Sequence, residues 1–165
     1  SASACGLMVK DYVRLLADDG VYAARAERVS AATRDLAEIV EPDDLRRVGC
    51  EVGSGPRVAW QSPCTLQHGQ RVAGRVEVLL EAAGCTLTPT SEATLCCGSA
   101  GTYSILQPEL SGELRRRKIA ALTGSAPQVI ATANIGCLEH LRAASPVPVR
   151  RWIEIVADSI GRSRT

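Results

Sequence analysis

Residues 57–84, RVAWQSPCTLQHGQRVAGRVEVLLEAAG, set a short apolar run, a cysteine and a helical stripe in immediate succession. RVAWQ (57–61) predicts a strand leading to Cys64, and Val72, Val76, Leu79, Leu80 and Ala83 predict a helix over 68–83 that Gly84 caps. The unit then recurs. CTLTPT (85–90) predicts a second strand leading to Cys96 and Cys97, and Pro108 opens a helix that runs to about Leu122, with Gly124 as its stop. QVIATA (128–133) predicts a third strand leading to Cys137 and a short helix, and VPVRRWIEIVADSI (147–160) adds an edge strand and a closing helix. Strands that alternate with helices imply an α/β fold, a small parallel sheet flanked by helices in three Rossmann-like layers.

Upstream of this block, helical spacing predicts helices over 6–18 and 21–40, the second stopped by Pro42. VGCEVGSGPR (48–57) holds three glycines, a serine and a proline and reads as the main loop. The expected organisation is a helical segment 1–47, a linker 48–56 and a cysteine-bearing domain 57–165.

With 165 residues, 45% of them hydrophobic, the chain is long enough to bury a core without staples. Its seven cysteines are odd in number and imply a reducing, cytoplasmic compartment rather than a disulfide framework. A net charge of +1 and the absence of Phe argue against nucleic acid as a partner. No apolar stretch approaches a membrane span, and SASACGLMVKDY (1–12) lacks the features of a signal peptide.

In a parallel sheet of this kind ligands collect at the carboxyl ends of the strands. Cys64, the Cys96–Cys97 pair and Cys137 each follow a predicted strand, so four thiols are expected to converge on one edge. Adjacent cysteines are poor partners for a mutual disulfide, since neighbouring Cα atoms sit about 3.8 Å apart where the bond wants roughly 4.4–6.8 Å. Thiolates gathered from separate loops select zinc or iron–sulfur clusters, and helix N-termini favour the thiolate form. Cys50 and Cys85 read as small buried hydrophobes. Gly98 and Gly101 in CCGSAG permit a turn around the pair and close approach to a bound group. His68 is a further candidate ligand or partner of one, and RRRK (115–118) reads as a solvated face, with Glu113 pairing Arg117, or else as a docking patch.

Thirty-one residues separate Cys64 from Cys96, and thirty-eight separate Gly98 from Cys137. This spacing, with PCTLQHGQRV, LCCGSAGTYSILQPELS, TANIGCLEHL and RRWIEIV, resembles the cysteine-rich CCG domain. That domain occurs in pairs in heterodisulfide reductases, lactate-utilisation iron–sulfur proteins, anaerobic glycerol-3-phosphate dehydrogenase small subunits and glycolate oxidase iron–sulfur subunits. The likeness extends furthest to the carboxyl-terminal region of the last. It implies that Cys64, Cys96, Cys97 and Cys137, with Gly98, bind an iron–sulfur cluster, [4Fe-4S] in cubane or non-cubane form. The family closes its motif with C-x-x-C, whereas here His140 takes the last place and becomes a candidate fifth ligand. SACGLM (3–8) overlays IGCLEH (135–140), which makes Cys5 a ligand of a preceding repeat. On this likeness the first CCG repeat and a ferredoxin-like segment of the same protein lie outside the sequence, and the isolated site either keeps its cluster or stands empty without them.

The implied function is electron transfer from an FAD-containing subunit that oxidises glycolate to glyoxylate, toward a quinone-type acceptor, in a complex in the cytoplasm or at the inner face of the membrane. The chain itself would carry no catalytic residue. Two other classes fit the cysteines: a structural zinc module that orders loops for subunit docking, and a thiol oxidoreductase using Cys96 or Cys97 as nucleophile.

Overall fold

A computed structural model describes residues 2–51 and 53–162. Among them four strands, β1 (Arg57–Gln61), β2 (Thr86–Leu87), β3 (Val129–Thr132) and β4 (Val149–Arg151), form one parallel sheet in the order β2-β1-β3-β4. Val58 stands opposite Leu87 on one side and Val129 on the other, and Ile130 opposite Val149. The pleat alternates side chains between faces. Val58, Trp60, Val129 and Ala131 therefore pack in one cluster with Leu79 and Leu80 of α6 (Arg75–Ala82) and Trp152, Ile155 and Val156 of α10 (Trp152–Arg162). Ala59, Ile130 and Val149 pack in the other with Ile119 and Leu122 of α8 (Pro108–Thr123) and Leu138 and Leu141 of α9 (Ile135–Arg142). The result is the expected α/β three-layer arrangement. Cys97 and Cys137 belong to this second cluster, so the sulfur-bearing edge is built on a packed core.

The structure redraws several elements. The helix expected over 6–18 is two pieces, α1 (Ser3–Lys10) and α2 (Tyr12–Leu15), separated at Asp11, which pairs with Arg14. The helix expected over 21–40 is likewise two, α3 (Ala23–Ala32) and α4 (Leu36–Ile39). Thr33 is extended between them, and Asp35 and Glu38 form a capping box that starts α4 afresh. Pro42 begins α5 (Pro42–Arg47) rather than stopping a helix, because its missing N–H costs nothing at a first helical position. The stripe over 68–83 is interrupted. Thr65–Gly69 wind as a π-helical turn, and Arg71 and Gly74 take positive φ before α6 begins. The second strand contracts from 85–90 to two residues, while Gly84 closes α6 at φ 90 as expected. α7 (Tyr103–Leu106) precedes Pro108, which opens α8 as predicted.

The amino-terminal helix reaches the sheet edge. Ser3 N–H donates to the carbonyl of Ala133 at 3.0 Å, just past β3, and the Ser3 and Thr65 hydroxyls meet at 2.7 Å. Gln70 Nε2 donates to Ser3 O at 2.8 Å. Gly69 makes room for this docking, since a Cβ there would lie 2.4 Å from Leu7 Cδ2. Among the described residues no helix is long and apolar enough to cross a membrane.

Candidate functional site

The loops after β1, β2 and β3 open on one pocket of about 490 Å³, lined by Cys64, Cys96, Cys97 and Cys137 together with Ala4, Thr65, Ser99, Ala100, Gly101 and the 134–136 turn. The four thiols predicted to converge do so. No disulfide joins any of the seven cysteines, and Cys50 and Cys85 are buried in the first core cluster as expected.

Each thiol is placed by a local feature. Cys64 is the N-cap of the π-helical turn that α1 braces. The residue is open to solvent, yet its thiol stands among the pocket walls, where burial and then the Cys96 thiol push it upward. Cys96 Sγ accepts the Gly98 N–H at 3.3 Å, closing the turn around the pair. Cys97 is 3% exposed, and its sulfur lies 3.2 Å from that of Cys137 in the first turn of α9. The hydrogen bond from Cys137, helped by the backbone and hydroxyl of Ser99, outweighs burial and draws Cys97 down to about 6. The same bond, with burial, pushes Cys137 strongly upward. One proton thus leaves this pair readily and the second is held, leaving a thiolate at Cys97 near neutral pH. Asn134 Nδ2 approaches Cys137 Sγ at 3.8 Å, a third-loop contact that no motif or spacing singles out.

The glycines work differently from expectation. Gly98 takes φ +93, as the turn requires, but the position a Cβ would occupy faces away from the sulfurs, 2.5 Å from Ser111 O and 3.2 Å from His140 Nε2. Its smallness therefore serves the packing of the turn against α8. Gly101, at φ +60, does line the pocket and has open space around it.

His140 does not line the pocket. Ser111 Oγ donates to Gly98 O at 2.9 Å and stands 3.3 Å from His140 Nε2, which donates to it. Burial lowers the pKa of this imidazole, consistent with a neutral ring holding the back of the CCG turn. Cys5 is exposed and outside the pocket, to which its neighbour Ala4 contributes, and His68 is exposed on the π-helical turn. Among the described residues no three Cys, His, Asp or Glu donors stand close enough to hold a single metal ion.

RRRK divides between surface and interior. Arg116 pairs with Glu113 and Arg117 with Glu92, not with Glu113. Lys118 is fully buried, its Nζ donating to the carbonyls of Glu92 (3.2 Å) and Ala93 (2.9 Å). A signal for this was present: positions 111, 115, 118 and 122 recur at helical spacing, and Ser111, Lys118 and Leu122 are all buried.

Comparison with known proteins agrees with the geometry. The family model for the cysteine-rich domain CCG matches residues 58–142. The chain is 42% identical over 160 residues to the glycolate oxidase iron–sulfur subunit of Escherichia coli (strain K12), covering 97% of this chain and 39% of that protein. It is 28% identical over 143 residues to the probable glycolate oxidase iron–sulfur subunit of Bacillus subtilis (strain 168), covering 86% and 32%. It is also 25% identical over 166 residues to lactate utilization protein A of an Exiguobacterium species, covering 96% and 67%. The chain thus spans well under half the length of the two iron–sulfur subunits it matches. With the four pocket cysteines and the CCG turn standing inside the matched span, the chain belongs to the cysteine-rich CCG domain family.

Proposed function

We propose that this chain is an electron-transfer domain in which Cys64, Cys96, Cys97 and Cys137 hold an iron–sulfur cluster. The observation that carries the reading is the convergence of four thiols from three strand-end loops on one pocket. The donor set fits: thiolates are the ordinary ligands of such clusters, Cys97 ionises readily, and the remaining walls are small or apolar. Thiols spread round a pocket of about 490 Å³ suit a group of several atoms better than a single zinc ion. When bound, a cluster supplies one-electron exchange at a potential set by its ligands and surroundings. The chain contributes the rest. Cys97 and Cys137 present paired sulfurs, Ser99 and Gly98 give hydrogen bonds to sulfur, and α1 adds Ala4 to the wall.

The names of the relatives support a place in an oxidation of a 2-hydroxy acid. On this reading a flavin-containing partner takes two electrons and two protons from glycolate, giving glyoxylate, and the electrons leave singly through this domain toward a quinone-type acceptor. Residues 1–47 then belong with a preceding repeat, 48–56 link it to the domain at 57–165, and the complex works in the cytoplasm or at the inner membrane face. Cys96→Ser and Cys97→Ser are each expected to lose iron on anaerobic reconstitution. Full retention of iron in both variants would sink the assignment.

One observation favours a second reading. The 3.2 Å approach of Cys97 and Cys137 sulfurs places an ionised thiol beside a protonated one. On forming a disulfide the pair would pass two electrons to a disulfide substrate, which would become two thiols by taking the Cys137 proton and one more from solvent. Reversible formation of that bond at potentials typical of thiol oxidoreductases, in protein that takes up no iron, would replace the first reading.

A further inference from the structure

The segment TANIGC (132–137) carries Asn134 at the N-cap of α9, where an asparagine ordinarily turns its side-chain oxygen onto the N–H groups of its own helix. Its backbone is extended there, as a cap requires, with φ −133 and ψ 132. Yet among the described residues the side chain caps nothing in α9. It reaches out instead. Oδ1 accepts the N–H of Ala4, in the first turn of α1, at 3.4 Å, and Nδ2 stands 3.8 Å from Cys137 Sγ. Only one setting of the amide serves both ends. The Ala4 N–H needs an acceptor, so the oxygen faces α1 and the amide donor is left for the sulfur. Gly136 keeps the space for this arrangement, since a Cβ there would fill the gap, 3.0 Å from Ser99 Oγ and 3.4 Å from Asn134 Nδ2. The helix at the far end of the amide lies outside residues 58–142, the span that matches the cysteine-rich domain. Ser3 pins that helix to the sheet edge through the Ala133 carbonyl and the Thr65 hydroxyl, and both Ala4 and Asn134 line the thiol pocket.

We propose that Asn134 is a positioning residue of the thiol site: its amide holds the Cys137 sulfur at one end and the first turn of α1 at the other, so that a helix from outside the cysteine-rich domain fixes how that sulfur is presented. The redox consequence rests on the reading that Cys137 is a cluster ligand. A hydrogen bond from Nδ2 then draws negative charge from the sulfur and makes the centre easier to reduce. An asparagine that merely capped α9 would neither touch the sulfur nor bind it to α1.

Asn134→Asp keeps the acceptor for Ala4 and loses the donor for the sulfur, whereas Asn134→Ala loses both. In the metal-free parent chain, followed by nitrogen NMR, one Nδ2 proton of Asn134 should exchange with solvent about tenfold more slowly than those of the exposed Gln107. Cys137→Ala should bring it close to the Gln107 rate. The Ala4 amide should exchange faster in N134A and stay near its parent rate in N134D. After anaerobic reconstitution both variants should release iron to a chelator about tenfold faster than the parent, and both centres should be harder to reduce, with an altered paramagnetic signal. A reconstituted N134A centre at the parent's potential overturns the proposal, and so do Asn134 amide protons that exchange as fast as those of Gln107 in the parent. The exchange measurement needs neither metal nor variant, so it decides the proposal even where N134A does not fold. It does so equally where no chain takes up iron, a result that would count against the cluster and not against Asn134.

Discussion

Gly98→Ala separates the packing role of the CCG turn from its place beside the sulfurs. The residue adopts φ +93, and its added Cβ would meet Ser111 O at 2.5 Å, Leu114 Cβ at 3.1 Å and His140 Nε2 at 3.2 Å. The shortest contact is to a backbone carbonyl inside α8, which cannot rotate aside, so the turn or the helix must move. A non-glycine residue in the left-handed region costs about 1–2 kcal/mol. Overpacking a tight site costs about 1–3 kcal/mol more. Together they predict a loss of about 2–5 kcal/mol, a large share of the roughly 5–15 kcal/mol that holds a domain folded. Gly101→Ala is the control, since its φ is +60 with nothing within 4 Å of the new atom, and only the conformational cost of about 1–2 kcal/mol should remain. Urea unfolding of metal-free protein, followed through the buried Trp60 and Trp152, reads both values. If Gly98→Ala falls within about 0.5 kcal/mol of Gly101→Ala at equal m-values, the close approach to Ser111 is not what demands glycine at this position.

The neighbouring contacts set further expected outcomes. Ser111→Ala removes the hydroxyl that bridges Gly98 O and His140, leaving a buried carbonyl and ring nitrogen without it, and should cost about 1–3 kcal/mol in the same unfolding assay; a loss under about 0.5 kcal/mol would deny the bridge a structural role. Cys97 ionises near 6 when folded and at 9.0 ordinarily, so between those values the unfolded chain binds more protons and the metal-free protein should gain stability as pH rises. Cys64 and Cys137, pushed the other way, act only above that window. The rise should flatten in Cys97→Ser, and a fall in stability over this range in the parent would contradict the assignment. Cys137→Ala removes the hydrogen bond that holds Cys97 down, and the midpoint of the Cys97 alkylation profile should move up from about 6. Leu138→Ala, in the core directly under the sulfurs, should cost about 2–5 kcal/mol by the same unfolding measurement.

Much of the scaffold was legible because β-branched runs, Pro108 and Gly84 carry local signals that tertiary packing reinforces. The strand ends at Gln61 and Thr132 fix where Cys64 and Cys137 emerge, and spacing alone brought them to one edge. The amino-terminal helices were harder. Thr33 and Asp35 interrupt an apolar stripe through a capping box that periodicity does not register, and Pro42 carries opposite meanings at the two ends of a helix. The break at 70–74 was hidden for a similar reason: Val72 remains buried although it has left the helix, so the stripe persists where the winding does not. At the site, the four thiols were foreseen and their partners were not. His140 shares a motif with Cys137 yet turns toward Ser111, a choice made by packing between α8 and α9. Lys118 was concealed within a charged run in which Arg116 and Arg117 face solvent.

Whether the four thiols hold an iron–sulfur cluster is decided by iron and sulfide analysis, with absorption and electron paramagnetic resonance spectra, of the chain reconstituted anaerobically with iron and sulfide. The expected result is about four irons and four sulfides per chain and a redox-active paramagnetic signal. Stoichiometric zinc with no iron, or four freely alkylated thiols with no metal after reconstitution, would contradict the cluster assignment.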